Sequence, residues 1–314
     1  MSYGAGKYTY ELVEGWTKLP EGVSLQDVGG LDVDSQDRVF VVNRTGGAHP
    51  VMVFDRDGNF LTSWGQEHFK TPHGICVEPD GSVYCTDEGD HTVMKFTHDG
   101  KLLMTLGHKG KPSDTGHVRE LKTGAERVAS TKRGGPPFNR PSGVFLSPSG
   151  EIYVSDGYGN ARVHKFSPDG DLLLSWGEPG TAPGQFRLLH GIWIDKQERV
   201  WVADRENSRI QIFNAQGEFL AQWTDIKRPQ RAWIDDEETV YIAEAMQRVS
   251  IFTIDGKLLA RWGNEGKDDI TQLFSAPHAI GVDSHGDIYI GEVAMSRLKI
   301  DRGPRSLQKF ARIG

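Results

Sequence analysis

SGVFLSPSGEIYVSDGYGNARVHKFSPDGDLLLSWG, residues 142–177, holds two pairs of apolar segments in the pattern that decides the fold. The first pair turns at Pro148-Ser149-Gly150 and closes on Asp156; the second turns at Pro168-Asp169-Gly170 and ends at Trp176-Gly177. Short apolar runs hinged on Gly turns make one four-stranded antiparallel unit. The first half recurs as GGLDVDSQDRVFVVN (29–43), HGICVEPDGSVYCTD (73–87), HGIWIDKQERVWVAD (190–204), RAWIDDEETVYIAE (231–244) and HAIGVDSHGDIYIGE (278–292). The second half recurs from Val51, Val93, Ile210 and Val249. Six copies, with helical periodicity almost absent, predict an all-β fold, a six-bladed β-propeller.

Counted from Gly29, His73, Ser142, His190, Arg231 and His278, the copies lie 44, 69, 48, 41 and 47 residues apart. The long step contains a polar Gly/Lys/Pro-rich stretch at about 108–140, read as an inter-blade surface insert and a candidate lid. One further strand signal, RSLQKFAR (305–312), follows the sixth copy, and KYTYELVEGW (7–16) precedes the first. The N-terminal strand is therefore expected to complete the last blade and close the ring, making 1–314 a single domain.

Asp and Glu outnumber Lys and Arg, 43 to 36, so the net charge of -7 offers no basic footprint for nucleic acid. No run approaches the ~18 apolar residues of a membrane helix, and the N-terminus lacks a secretion signal's apolar core. A cytoplasmic protein without a membrane partner is expected. An Asp80-Gly81 two-residue turn would set Cys76 and Cys85 opposite each other as reduced, half-buried thiols. His91, His98 and His285 are expected to face solvent from turns or outer strands.

In a propeller the first strand of each blade lines the central channel, so equal repeat positions form a ring about the axis. His73, His190 and His278 hold that position in the second, fourth and sixth copies, where alternation brings them together with approximate threefold symmetry. Three neutral imidazoles with an open fourth position suit a catalytic zinc, and iron or manganese would accept the same ligands. A second ring follows the residue closing each second strand. Arg44, Glu88, Tyr158 and Arg205 fall there, and arginine or tyrosine is an unusual choice for a tight turn. Such a mouth suits a small carboxylate-bearing substrate. Arg231, at the fifth channel position, joins Arg44, Arg205 and Glu88 as a substrate-binding candidate.

At these residues the chain resembles the peptidyl-α-hydroxyglycine α-amidating lyases, within the wider set of NHL-repeat propellers. The likeness covers about residues 28–300 and is strongest over 140–186 and over HGIWIDKQERVWVADRENSRIQIF (190–213). It implies a propeller whose catalytic zinc is held by His73 in TPHGI, His190 in LLHGI and His278 in APHAI. It also implies Tyr158 in SDGYGNAR as the base, with Arg44 in VVNRTGG and Arg205 in ADRENSR facing the substrate.

The implied activity is a metal-dependent lyase, resembling peptidylamidoglycolate lyase, that cleaves a C–N or related bond at a hydroxylated carbon beside a carboxylate, with glyoxylate released if the family substrate carries over. Zinc would stabilise the alkoxide, Tyr158 would take the proton and an arginine would clamp the carboxylate. The family has Cys after the tyrosine, where this chain has Gly159. Ala279 and Ala276 replace an Asp and a Met around the third histidine, so a structural calcium is not expected. Without the family's monooxygenase partner domain, a small hydroxy acid or hemiaminal-like metabolite is as good an expectation as a peptide. Two other readings stay open: a non-enzymatic NHL scaffold that binds a protein, and a lactonase or hydrolase working through channel calcium. The oligomeric state is open as well.

Overall fold

The computed structural model describes residues 1–44, 49–263 and 273–314. Each four-strand unit of the sequence forms its own antiparallel sheet. In the third, Pro141–Leu146, Ile152–Asp156, Arg162–Phe166 and Leu172–Trp176 pair in chain order. The first strands of the others are Val28–Val33, Pro72–Val77, Leu189–Ile194, Pro229–Ile234 and Pro277–Val282.

The sixth sheet departs from chain order. Pro277–Val282, Ile288–Glu292 and Leu307–Arg312 are followed by Tyr8–Val13, with Ser2–Ala5 outermost. Tyr10 faces Arg312 and Val13 faces Lys309 across the seam. The N-terminal strand thus covers backbone groups that Leu307–Arg312 would leave as an edge, as the sequence implies. The fold is an all-β six-bladed propeller.

By its contacts the chain forms two units. Met1–His68, Pro79–Gly81 and Gln230–Gly314 carry the first, fifth and sixth sheets, and Phe69–Glu78 with Ser82–Pro229 carry the second, third and fourth. Within a sheet, burial falls outward: Leu189–Ile194 is buried throughout, whereas Phe219–Trp223 is largely exposed. In the second unit the first strands pack side by side. A side chain at Gly74 would meet the Ser142 carbonyl at 2.8 Å, and one at Gly143 the His190 carbonyl at 3.1 Å. Glycine therefore follows the anchor residue in HGI and SGV because another backbone lies against it.

Two sets of acidic residues hold the loops. Asp283 Oδ1 accepts the N–H groups of His285 at 3.0 Å and Asp287 at 2.9 Å, and Asp195 does the same for Gln197 and Arg199. These bonds close the turn between first and second strands. The acid ending the second strand works at the opposite end. Asp87 accepts from the backbone of Lys70, Thr71, Gly89 and Asp90, and Glu292 from Ser275 and Ala276. Each ties the loop entering the first strand to the repeat's second strand, and that end carries the candidate residues.

The cysteines depart from expectation. Glu78 N–H donates to the Ser82 carbonyl at 2.9 Å, so the turn is longer than Asp80-Gly81, and Cys85 pairs with Ile75 while Cys76 pairs with Tyr84. One residue of register sends the two side chains to opposite faces. Neither thiol is in a disulfide and both are buried, and burial pushes the Cys85 pKa up. Among the described residues no helix is long and apolar enough to cross a membrane.

The insert at 108–140 contains one helix, α1 (Gly124–Ser130). Thr123 caps it: its hydroxyl accepts the Glu126 N–H, and the Glu126 carboxylate accepts the Thr123 N–H. This reciprocal box lets seven residues hold a helix that its length alone would leave marginal.

Candidate functional site

In the second unit, His73 and His190 stand buried in the first strands of the second and fourth sheets, their ring centroids 4.9 Å apart. His73 Nδ1 lies 2.6 Å from the Ser142 carbonyl. A carbonyl only accepts, so Nδ1 carries the proton and Nε2 the lone pair. The Tyr158 hydroxyl lies 2.9 Å from His73 Nε2 and 2.9 Å from His190 Nε2. Both imidazoles therefore aim a ring nitrogen at one point, which the phenol oxygen fills.

Tyr158 enters from the turn after Asp156, and two cations lie over its ring. Arg205 is 5.6 Å and Arg140 5.3 Å from the ring centroid. Arg205 Nε donates to Glu206 at 2.9 Å. Arg140 is paired at 2.5 Å with Glu88, itself buried, so Glu88 holds an arginine in place. Burial would raise the Glu206 pKa, but Arg205 and Arg228 overcome it and hold the carboxyl below its usual range.

A cavity of about 430 Å³ is lined by Tyr158, Arg205 and Arg228 together with Arg127 and Val128 of α1. The insert thus supplies a wall of the site. Three lining residues, Arg140, Leu188 and Arg228, share a register: each immediately precedes the first strand of its sheet, and each has positive φ, 65°, 66° and 50°. A non-glycine residue in the left-handed region costs of order 1 kcal/mol, and such strain gathers where side chains are aimed.

In the other unit, His278 is buried in Pro277–Val282, directly after a proline as His73 is after Pro72. Arg44, half-buried, donates its backbone N–H to the Asp27 carbonyl at 2.9 Å. Arg231 lies 3.7 Å from Asp32.

Arg140 and Arg228 escape the sequence reading because their placement depends on a left-handed residue before a strand. The helix had a signal, the Thr-x-x-Glu of Thr123 and Glu126, but it is too short to show periodicity. His91 corrects the expectation of exposure: it is buried, and its Nδ1 accepts the Arg140 N–H at 3.0 Å. Burial, joined by Arg140 and Arg119, holds its pKa below the usual histidine value against the pull of Asp156. An unfolded chain protonates His91 near pH ~6.5 whereas the native state resists, so stability falls as pH drops through that value. His91→Asn, which tolerates positive φ, should shrink the loss between pH 7 and 5.5 in urea unfolding; an unchanged loss assigns it to other groups.

The NHL repeat family matches residues 138–166 and 186–213. The chain is 34% identical over 242 residues to NHL repeat-containing protein 3 of Homo sapiens, covering 72% of this chain and 62% of that protein. It is 32% identical over 179 residues to peptidyl-alpha-hydroxyglycine alpha-amidating lyase 1 of Drosophila melanogaster, 53% of this chain and 29% of the relative. It therefore spans less than two thirds of either relative. A solved streptogramin B lyase shares the fold, with a TM-score of 0.62 at 15% identity over 96% of this chain and 97% of that one. The chain is an NHL-repeat β-propeller, related by sequence to NHL repeat-containing protein 3 and to the peptidyl-α-hydroxyglycine α-amidating lyases.

Proposed function

We infer that this protein is a metal-dependent lyase that cleaves a C–N bond at a hydroxylated carbon next to a carboxylate, releasing glyoxylate. The observation that carries it is a tyrosine hydroxyl 2.9 Å from two histidine nitrogens, with the guanidinium groups of Arg140 and Arg205 over its ring. Two kinship lines support it, the Drosophila lyase and the shared NHL repeat.

The residues fit a metal. The Ser142 carbonyl fixes His73 with Nε2 as its ligand atom, the orienting bond that metal-bound histidines usually make. His73, His190 and His278 could hold a metal ion, for which we favour zinc over iron or manganese. When bound, the metal supplies a Lewis acid for the substrate hydroxyl.

The chain's own groups do the rest. Arg205, with Arg44 as a second clamp, takes the substrate carboxylate through paired N–H bonds. Tyr158 accepts the hydroxyl proton as its phenolate, whose negative charge Arg140 and Arg205 counter until the proton neutralises it. The carbonyl then forms as the C–N bond breaks with its electron pair moving to nitrogen, which takes the proton back from Tyr158. An N-acyl-α-hydroxyglycine so gives an amide and glyoxylate. Two cysteines that form no disulfide suit a reducing compartment.

Metal analysis of protein purified without chelator tests this. About one zinc per chain is expected, lost in His190→Ala, since three histidines and an open position define the site. Wild-type protein without metal, or His190→Ala retaining it, overturns the reading.

A further inference from the structure

The cavity over Tyr158 is lined by four arginines, Arg127, Arg140, Arg205 and Arg228, but by one carboxylate, Glu206. Glu88, which is not among the lining residues, neutralises Arg140. Glu206 is shared, its Oε1 taking Arg205 Nε at 2.9 Å and Arg228 Nη2 at 2.6 Å. Arg127 Nη1 donates to a neutral group, the Leu121 carbonyl, at 2.7 Å. Four cations against two carboxylates leave two positive charges in excess.

Two further observations point to a ligand. The buried Nε atoms of Arg140 and Arg228 meet no acceptor among the described residues. Arg228 is also one of the three left-handed residues at matching register that line the cavity, so its position is held against backbone strain. Partly desolvated cations without full compensation draw anions that bring their own acceptors.

We propose that Arg127 and Arg228 form a second anion subsite, so that the substrate is a compact dicarboxylate. This rests on the lyase reading only in assigning the first carboxylate to Arg205. A phosphate would bring about 1.5 to 2 negative charges by itself, and with the first carboxylate would exceed the excess. A second carboxylate matches it. The cavity, about 430 Å³, lies within the range of small-molecule sites. The second carboxylate then belongs to the departing amide, whose acid end sits against α1.

Isothermal titration with unreactive acids tests the subsite apart from turnover. Succinate and glutarate are expected to bind at least about tenfold more tightly than propionate and butyrate, the gain of one further charge-assisted contact. Arg228→Gln and Arg127→Gln should each cut that preference below about threefold, while Arg228→Lys keeps most of it. Wild-type protein binding both series alike overturns the proposal, whether or not the variants fold. So does a preference that survives both Gln substitutions. Absence of glyoxylate release would defeat the lyase reading and leave this binding result standing.

Discussion

Tyr158→Phe should lower turnover roughly 10²–10⁴-fold, the range a positioned proton-transfer group contributes, and should leave metal content unchanged. The substitution removes one oxygen. The ring stays, and with it the two guanidinium groups packed over its face at 5.3 and 5.6 Å. The hydroxyl's hydrogen bonds to His73 and His190 are lost, each worth about 1 kcal/mol, a small share of a domain's stability. On the proposed reading Arg205 holds the carboxylate independently of the phenol, so KM should move only a few-fold while kcat takes the loss. Glyoxylate release with an N-acyl-α-hydroxyglycine, read beside metal analysis, separates the roles. A kcat within threefold of wild type would remove Tyr158 as the proton acceptor, and a loss of metal would recast it as a support for the histidines.

The propeller was legible because its repeat is set by local physics. Apolar strands of four to six residues alternate with Asp and Gly turns, and the same turn bonds recur at Asp195 and Asp283. The histidines were legible by register: one residue per copy occupies the same place in the first strand, and His73 and His190 do converge. What stayed hidden depends on geometry that no residue type announces. Arg140 lies at the end of an insert, and only its left-handed backbone and the Glu88 pair turn it onto Tyr158. Glu88 was singled out by its place in the turn, but its partner, and so its task, needed the fold. The cysteine register failed for a related reason, since a turn one step longer than Asp80-Gly81 reverses which face each residue takes.

Asp204→Ala should destabilise the protein by about 3–5 kcal/mol, the loss typical of removing one partner from a buried ion pair. Asp204 is fully buried. Its Oδ1 accepts the Arg187 N–H at 2.8 Å, and its Oδ2 takes Asn207 Nδ2 at 2.8 Å and Arg209 Nε at 2.8 Å. Burial raises its pKa more than these donors lower it, so the carboxylate gains little net stability from the pair. Removing it is still costly. Arg209 cannot shed its proton, and its other nitrogens are pinned by Gln222, Ala182 and Gln185, so it cannot swing into water. The double variant Asp204→Ala with Arg209→Met, which removes the stranded charge, should recover part of the loss, and urea unfolding measures both. The same carboxylate joins the Arg187 backbone to the turn that presents Arg205, so substrate affinity should weaken in the single variant even at temperatures where it is folded. A loss below about 1 kcal/mol would mean that the loop is held by the remaining hydrogen bonds of Arg209 and Asn207, and that the acid closing this repeat is not what fixes the arginine.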